Sequence, residues 1–139
     1  MALDEAEALA ILEGRPQDVA AITAQLKELI PMGEDGFLIV SIDDVYVQFM
    51  VAPGAKSLFV EAVSNDYLPA AKRIDATAIA KLQSFGFETP EEAGFNFSME
   101  FEIKGDTDTT VLAVLTLATL FDVYACPAGQ PLAFELNSA

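Results

Sequence analysis

A chain of 139 residues that is 53% hydrophobic is long enough for one globular domain with a real core, and too apolar for a disordered segment. Twenty-two acidic side chains against seven basic ones give a formal charge of -15, which repels phosphate backbones and anionic headgroups and argues against nucleic acid and membrane surfaces as partners. The chain has no histidine, so it lacks a Ser-His-Asp triad, a Cys-His pair and an imidazole-held zinc, and its one cysteine, Cys126, cannot build an intrachain disulfide framework.

The chain is expected to form one domain, 1–139, with a helical segment at 3–30 and a core at 37–134. In the helical segment, "GRP" at 14–16 should interrupt the helix, with Pro16 suited to a helical first turn. Beyond it Val19, Ile22, Leu26, Leu29 and Ile30 recur at helical spacing until Pro31 and Gly33 stop the pattern. The amino terminus carries acids where a secretory signal would carry bases. The longest apolar run, 111–126, is shorter than the roughly 20 residues that a bilayer requires. The expected location is therefore the cytoplasm.

Three strands follow: "FLIVSI" (37–42), "VYVQFMVA" (45–52) and "SLFVEAV" (57–63), joined by turns at "DD" (43–44) and "PGAK" (53–56). Such short connections imply an antiparallel meander. Residues 75–85 predict a second helix, capped by Asp75 and stopped at Gly86. "FNFSMEFEI" (95–103) alternates strictly, with Phe95, Phe97, Met99, Phe101 and Ile103 on one face and Asn96, Ser98, Glu100 and Glu102 on the other. A helix over 108–124, capped by Asp106 or Thr107, is apolar nearly all round and so should be buried, and "PLAFEL" (131–136) adds a late strand or an extended tail. The order α-β-β-β-α-β-α(-β) points to an α+β layer fold with a twisted antiparallel sheet flanked by helices.

The polar residues point to structure more than to chemistry. Asp43-Asp44 and Asp106/Asp108 lack the ligand spacing of a calcium loop and suit turns and helix caps, so no metal or cofactor is expected. Glu100 and Glu102 alternate with large apolar groups, which places them on a solvated strand face. "GEDG" (33–36) and "PGAK" do not lead from strand into helix as a phosphate cradle would. Cys126 has no basic neighbour in the sequence and reads as a small core residue.

What remains is an apolar surplus. Val45, Val47, Phe49 and Val51 form one face of the second strand and should pack under helices. Tyr46, Gln48 and Met50 form the other, with Phe59, Glu61 and Val63 as neighbours, and this set is too apolar for a plainly wet surface. Its cover is open among the chain's own N-terminal helix, a second subunit and a partner peptide. Met, Tyr and Phe beside a Gln and an acid suit an adaptable peptide-binding surface.

The stretch "EAVSNDYLP" (61–69) carries a family likeness. A strand closing on Glu61-Ala62-Val63, then Asn65, then Tyr67-Leu68-Pro69, resembles the central signature of the actinobacterial YbjN-like proteins, which are classed with type III secretion chaperones (TY-Chap) as peptide-binding, chaperone-like domains. "LQSFGFETP" (82–90) resembles that family's Leu-x-x-Leu-Gly-Trp-x-x-Pro segment, with Phe85 and Phe87 where Leu and Trp are more usual, and "FNFSMEF" (95–101) resembles the Asn-Phe strand that follows. The closing helix at 109–124 also fits.

The resemblance implies a chaperone-like fold, no enzymatic activity and the binding of extended peptide segments, often by homodimers. Tyr46, Gln48, Met50, Phe59 and Glu61 are the expected peptide-binding surface, with Phe85 and Phe87 as an alternative, a dimer contact. The expected partner is a protein or peptide, with basic segments favoured by the acidic surface. A small-molecule or regulatory module, with a pocket between the N-terminal helix and the sheet, is the competing reading. Within the signature itself, Asn65 and Asp66 are expected to shape a corner by bonding back to the backbone, and Tyr67 and Leu68 to anchor its exit.

Overall fold

A computed structural model describes residues 3–54 and 56–138; Ala55 of the expected 53–56 turn and the extreme ends of the 1–139 span lie outside the described residues. The elements are α1 (Glu5–Gly14), α2 (Pro16–Leu29), β1 (Gly36–Ile42), β2 (Val45–Val51), β3 (Ser57–Ala62), α3 (Ala76–Phe85), β4 (Phe97–Glu102), α4 (Thr107–Ala118) and β5 (Ala133–Ser138). Pro16 takes the first position of α2, where its missing N–H costs nothing. The late segment is a strand: β5 lies antiparallel beside β1 and completes a five-stranded sheet of order β4-β3-β2-β1-β5, antiparallel throughout.

Alternation within each strand decides how the sheet is used. Leu38, Val40, Ile42, Val45, Val47, Phe49, Val51, Leu58, Val60, Ala62 and Phe97 point to one face and are buried. Against that face lie Val19, Ile22, Leu26 and Leu29 of α2 and the buried run from Leu112 to Ala118 of α4. Two threonines can sit in this apolar layer because each hydroxyl donates back one turn: Thr116 to the Leu112 carbonyl and Thr119 to that of Leu115, both at 2.8 Å. The α-helix stops six residues short of the expected end at 124. It widens into a π turn over Thr119–Val123, with Tyr124 N–H donating to the Thr119 carbonyl and the Tyr124 hydroxyl reaching the Val63 carbonyl at 2.5 Å.

Side chains shape the connections. The β1–β2 turn places Asp43 at φ 52, a left-handed conformation that Asp tolerates, and Lys72 sits between Asp43 and Asp44 at 3.8 and 3.4 Å. Asp75 caps α3 by accepting from Ala78 N–H at 2.9 Å, and Gly86 ends that helix at φ 109. Ahead of α4 the expected cap residue, Asp106, is in place but does not bond through its side chain, and the Asp108 carboxylate instead accepts from the N–H groups of Lys104 and Gly105 at 2.6 and 3.0 Å.

The "SNDYLP" segment is a corner, built otherwise than the local rule predicts. The Asn65 side chain does not close its own turn. It pairs with both backbone groups of Ile74, donating to the carbonyl at 2.9 Å and accepting from the N–H at 2.8 Å. Asp66 accepts from Gly94 N–H at 2.8 Å, and the Tyr67 hydroxyl donates to the Gly94 carbonyl. Leu68 is buried as expected, whereas Tyr67 stays 54% exposed, since its work is done by the hydroxyl and not by packing. Fixing Gly94 from both sides also explains Phe95. It lies before β4 begins, and is exposed instead of sharing the Phe97 face, because the pinned loop enters the strand one residue pair late.

The two faces of the sheet should respond differently to truncation. Phe49→Ala, which empties a fully buried site, is expected to lower stability by about 3 to 5 kcal/mol in urea unfolding, and Phe59→Ala, on the opposite face, by less than about 1 kcal/mol.

Candidate functional site: an uncovered sheet face

The helices α2 and α4 cover only one side of the sheet. Strand registry places three rows of side chains across the other side. One row runs Asn137, Phe37, Met50, Phe59 and Glu100, and the next Glu135, Ile39, Gln48, Glu61 and Ser98. A third begins Ala133, Ser41 and Tyr46. Met50 is 37% exposed and Phe59 41%, and Phe37, Ile39 and Tyr46 are half-buried. The N-terminal helices do not lie here: α2 packs on α4 and the far side of the sheet, and α1 packs on α4 and α2.

All five residues expected from the sequence therefore share one face. Gln48 and Glu61 face each other across β2 and β3, and the Gln48 amide donates to the Glu61 carboxylate. Tyr46 closes one end of the face. Its hydroxyl accepts from the Asn96 side-chain amide at 3.1 Å, and the Asn96 carbonyl oxygen in turn accepts from Ser64 N–H at 3.0 Å. Sequence reasoning missed Phe37 and Ile39, although the both-face apolarity of "FLIVSI" was the signal that β1 would extend the surface.

Phe85 and Phe87 cannot be a dimer contact. They are 1% and 3% exposed and lie in the chain's own core, where the Gly86 cap turns both rings inward.

The charge that the strands bring to the uncovered face has one sign. The five strands contain four acids, Glu61, Glu100, Glu102 and Glu135, and neither lysine nor arginine. By registry all four acids fall on this face. Beyond Glu61 and Ser98 the surface continues into a shallow depression lined by Glu88, Glu91, Glu92 and Phe95.

Other clefts lie on the helical side. One of about 380 Å³ runs between the β1–β2 turn, the 71–75 segment and the 123–127 segment, with Lys72, Arg73 and Cys126 in its wall. Lys72 is thus a basic neighbour of Cys126 that the sequence order conceals, but burial dominates and pushes the thiol up, away from nucleophilic reactivity. A second cleft lies beneath α1 against α4, where Glu7, Arg15, Phe121 and Asp122 meet. Arg15 stacks 3.4 Å from the centre of the Phe121 ring, and Lys81 pairs with Glu7 at 2.9 Å. Asp122 is pushed up to about 6, by burial first and then by the adjoining Glu7 carboxyl, and Glu7 is held below the usual range by the bond from Asp122 and by Lys81. Among the described residues no group of three acids, cysteines or histidines is placed to hold a metal ion, and no helix is long and apolar enough to cross a membrane.

The fold is thus a layer of helices on one side of an open antiparallel sheet whose opposite side carries exposed apolar groups. Residues 20–137 match the family model described as "T3SS (YopN, CesT) and YbjN peptide-binding chaperone 3", and the chain belongs to that family of peptide-binding chaperones. No curated protein and no solved structure matches it.

The acid pair beneath α1 sets a pH dependence. Asp122 binds its proton more tightly with α1 docked than when exposed, so its contribution is present below about pH 4 and lost as pH rises through about 6. Glu7 is ionised in both states above its ordinary value and does not offset this. Hydrogen exchange in α1, corrected for intrinsic rates, should be slower at pH 5 than at pH 7.5, and Asp122→Asn should remove most of the difference.

Proposed function

We propose that the protein is a non-enzymatic, chaperone-like binding protein of the cytoplasm that buries apolar side chains of a protein partner on the uncovered sheet face, with Tyr46, Gln48, Met50, Phe59 and Glu61 as its contact surface. The observation that carries this reading is the row Phe37, Met50 and Phe59, which is left without a helical cover because the helices pack on the opposite face of the sheet. Met50 adapts its shape to different partners, and Phe59 supplies a rigid apolar anchor. The family description supports a peptide as the ligand.

No catalytic step is proposed. The carboxylates of the face stand on neighbouring strands among apolar groups, and Glu61 is engaged by an amide. The competing idea of a ligand pocket between the N-terminal helix and the sheet has less support, because Val19, Ile22, Leu26 and Leu29 of α2 fill that interval with buried side chains.

The reading is tested by comparing wild type with Met50→Glu and Phe59→Glu as bait in the native cytosol, with quantitative mass spectrometry of what is retained. Wild type should hold protein partners that both variants lose, at unchanged thermal stability. Equal recovery by all three would remove the face from consideration.

A further inference from the structure

Resting on the sheet face as the binding surface, we infer that its occupant is an extended segment of a protein partner that places one basic side chain between two apolar ones at alternate positions. The charge of the face points this way. Its strands supply four acids and no base. Glu102 has Lys104 at 3.6 Å, and Glu100 accepts from the Ser57 hydroxyl at 2.7 Å. Glu61 is half-buried, its amide neighbour is neutral, and among the described residues it is in no ion pair. A half-buried carboxylate in an acidic field gains most from a cation brought by a ligand, because both charges are then partly shielded from water.

Spacing supplies the rest. Along β2 the face presents Met50, Gln48 and Tyr46, with alternate residues about 7 Å apart. Across β3 the first two rows continue as Phe59 and Glu61. An apolar patch, a carboxylate and a second aromatic group therefore follow one another at the repeat of a strand. An extended segment repeats its own side chains at the same interval, so apolar, basic and apolar groups at positions i, i+2 and i+4 meet Met50/Phe59, Glu61 and Tyr46 together. A helix repeats at about 5 to 6 Å per turn and rotates off the line. A second copy of this chain is a poor occupant, because it would oppose acid to acid.

The test uses fluorescein-labelled synthetic peptides and the full chain, read by anisotropy at low and high salt. The first carries Leu, Lys and Phe at alternate positions separated by serines; the second replaces Lys by Gln; the third sets the same three side chains at helical spacing. The Lys peptide should bind about tenfold more tightly than the Gln peptide at low salt, with the gap closing at high salt. Glu61→Gln should close the gap at low salt also, whereas Glu13→Gln, on exposed α1, should leave it open. Equal binding of the Lys and Gln peptides, abolished by Met50→Glu, would overturn the charge assignment while leaving the face as the site. Tighter binding of the helically spaced peptide overturns the extended register. A dimer in sedimentation that Met50→Glu dissolves replaces the peptide by a second copy. Failure of every peptide, with full recovery of partners by Met50→Glu in the cytosol experiment, removes the face and this inference together.

Discussion

The sheet is covered on one side only, and most of the molecule follows from that. Five strands turn their aliphatic side chains toward α2 and α4, and that single contact layer buries Phe49, Leu38, Leu58 and Leu112 completely. An antiparallel sheet needs only one dry face for stability, so the other is released from the demands of core packing. Here it carries Phe37, Ile39, Met50 and Phe59 together with every acid that the strands possess. Apolar area without a cover and an excess of acid over base are two costs on one surface.

Loops and side chains fix the ends of this surface. Tyr46, Asn96 and Ser64 form a chain of hydrogen bonds from β2 to the start of β4, which holds the aromatic end of the face in place. Asn65 pairs with Ile74 as a strand neighbour would, and Asp66 and Tyr67 hold Gly94 by its N–H and its carbonyl. The stretch that carries the family likeness therefore does mechanical work: it sets where β3 ends and where β4 begins. The α1 helix is attached differently. It buries no residue fully: Ala8 and Ile11 pack half-buried against the core, and the Lys81–Glu7 pair, the Glu7–Asp122 carboxyl pair and, just past the helix end, the Arg15–Phe121 stack add contacts weaker than the core beneath.

Much of this was legible in the residues. Pro16, Asp75 and Gly86 announced helix boundaries through their own backbone preferences, and period-two alternation sorted Phe49 from Met50, although it also set Val63 beside the Tyr46 face when the chain buries it in the core. Errors arose where a distant partner outbid a local rule. Phe95 obeys the alternation of its neighbours but not their strand, because Asp66 and Tyr67 hold the preceding glycine from 28 and 27 residues away. Phe85 and Phe87, the alternative expectation of a dimer contact, are turned by the fold into the core. Asp106 takes the expected cap position of α4, but it is the Asp108 carboxylate that accepts from backbone N–H groups there, those of Lys104 and Gly105.

The sequence by itself determined the element order, the antiparallel meander, the buried character of α4 and the membership of Tyr46, Gln48, Met50, Phe59 and Glu61 in one face. All of these rest on short-range periodicity and turn chemistry. Only the tertiary structure decided that the face is uncovered, that β5 sits at the β1 edge, and that Phe37 and Ile39 enlarge the surface. Which side of a strand is dry depends on where helices far along the chain dock, and α1 and α2 docked against α4 and the opposite face. That choice is a property of complementary surfaces brought together by folding, and no local pattern encodes it.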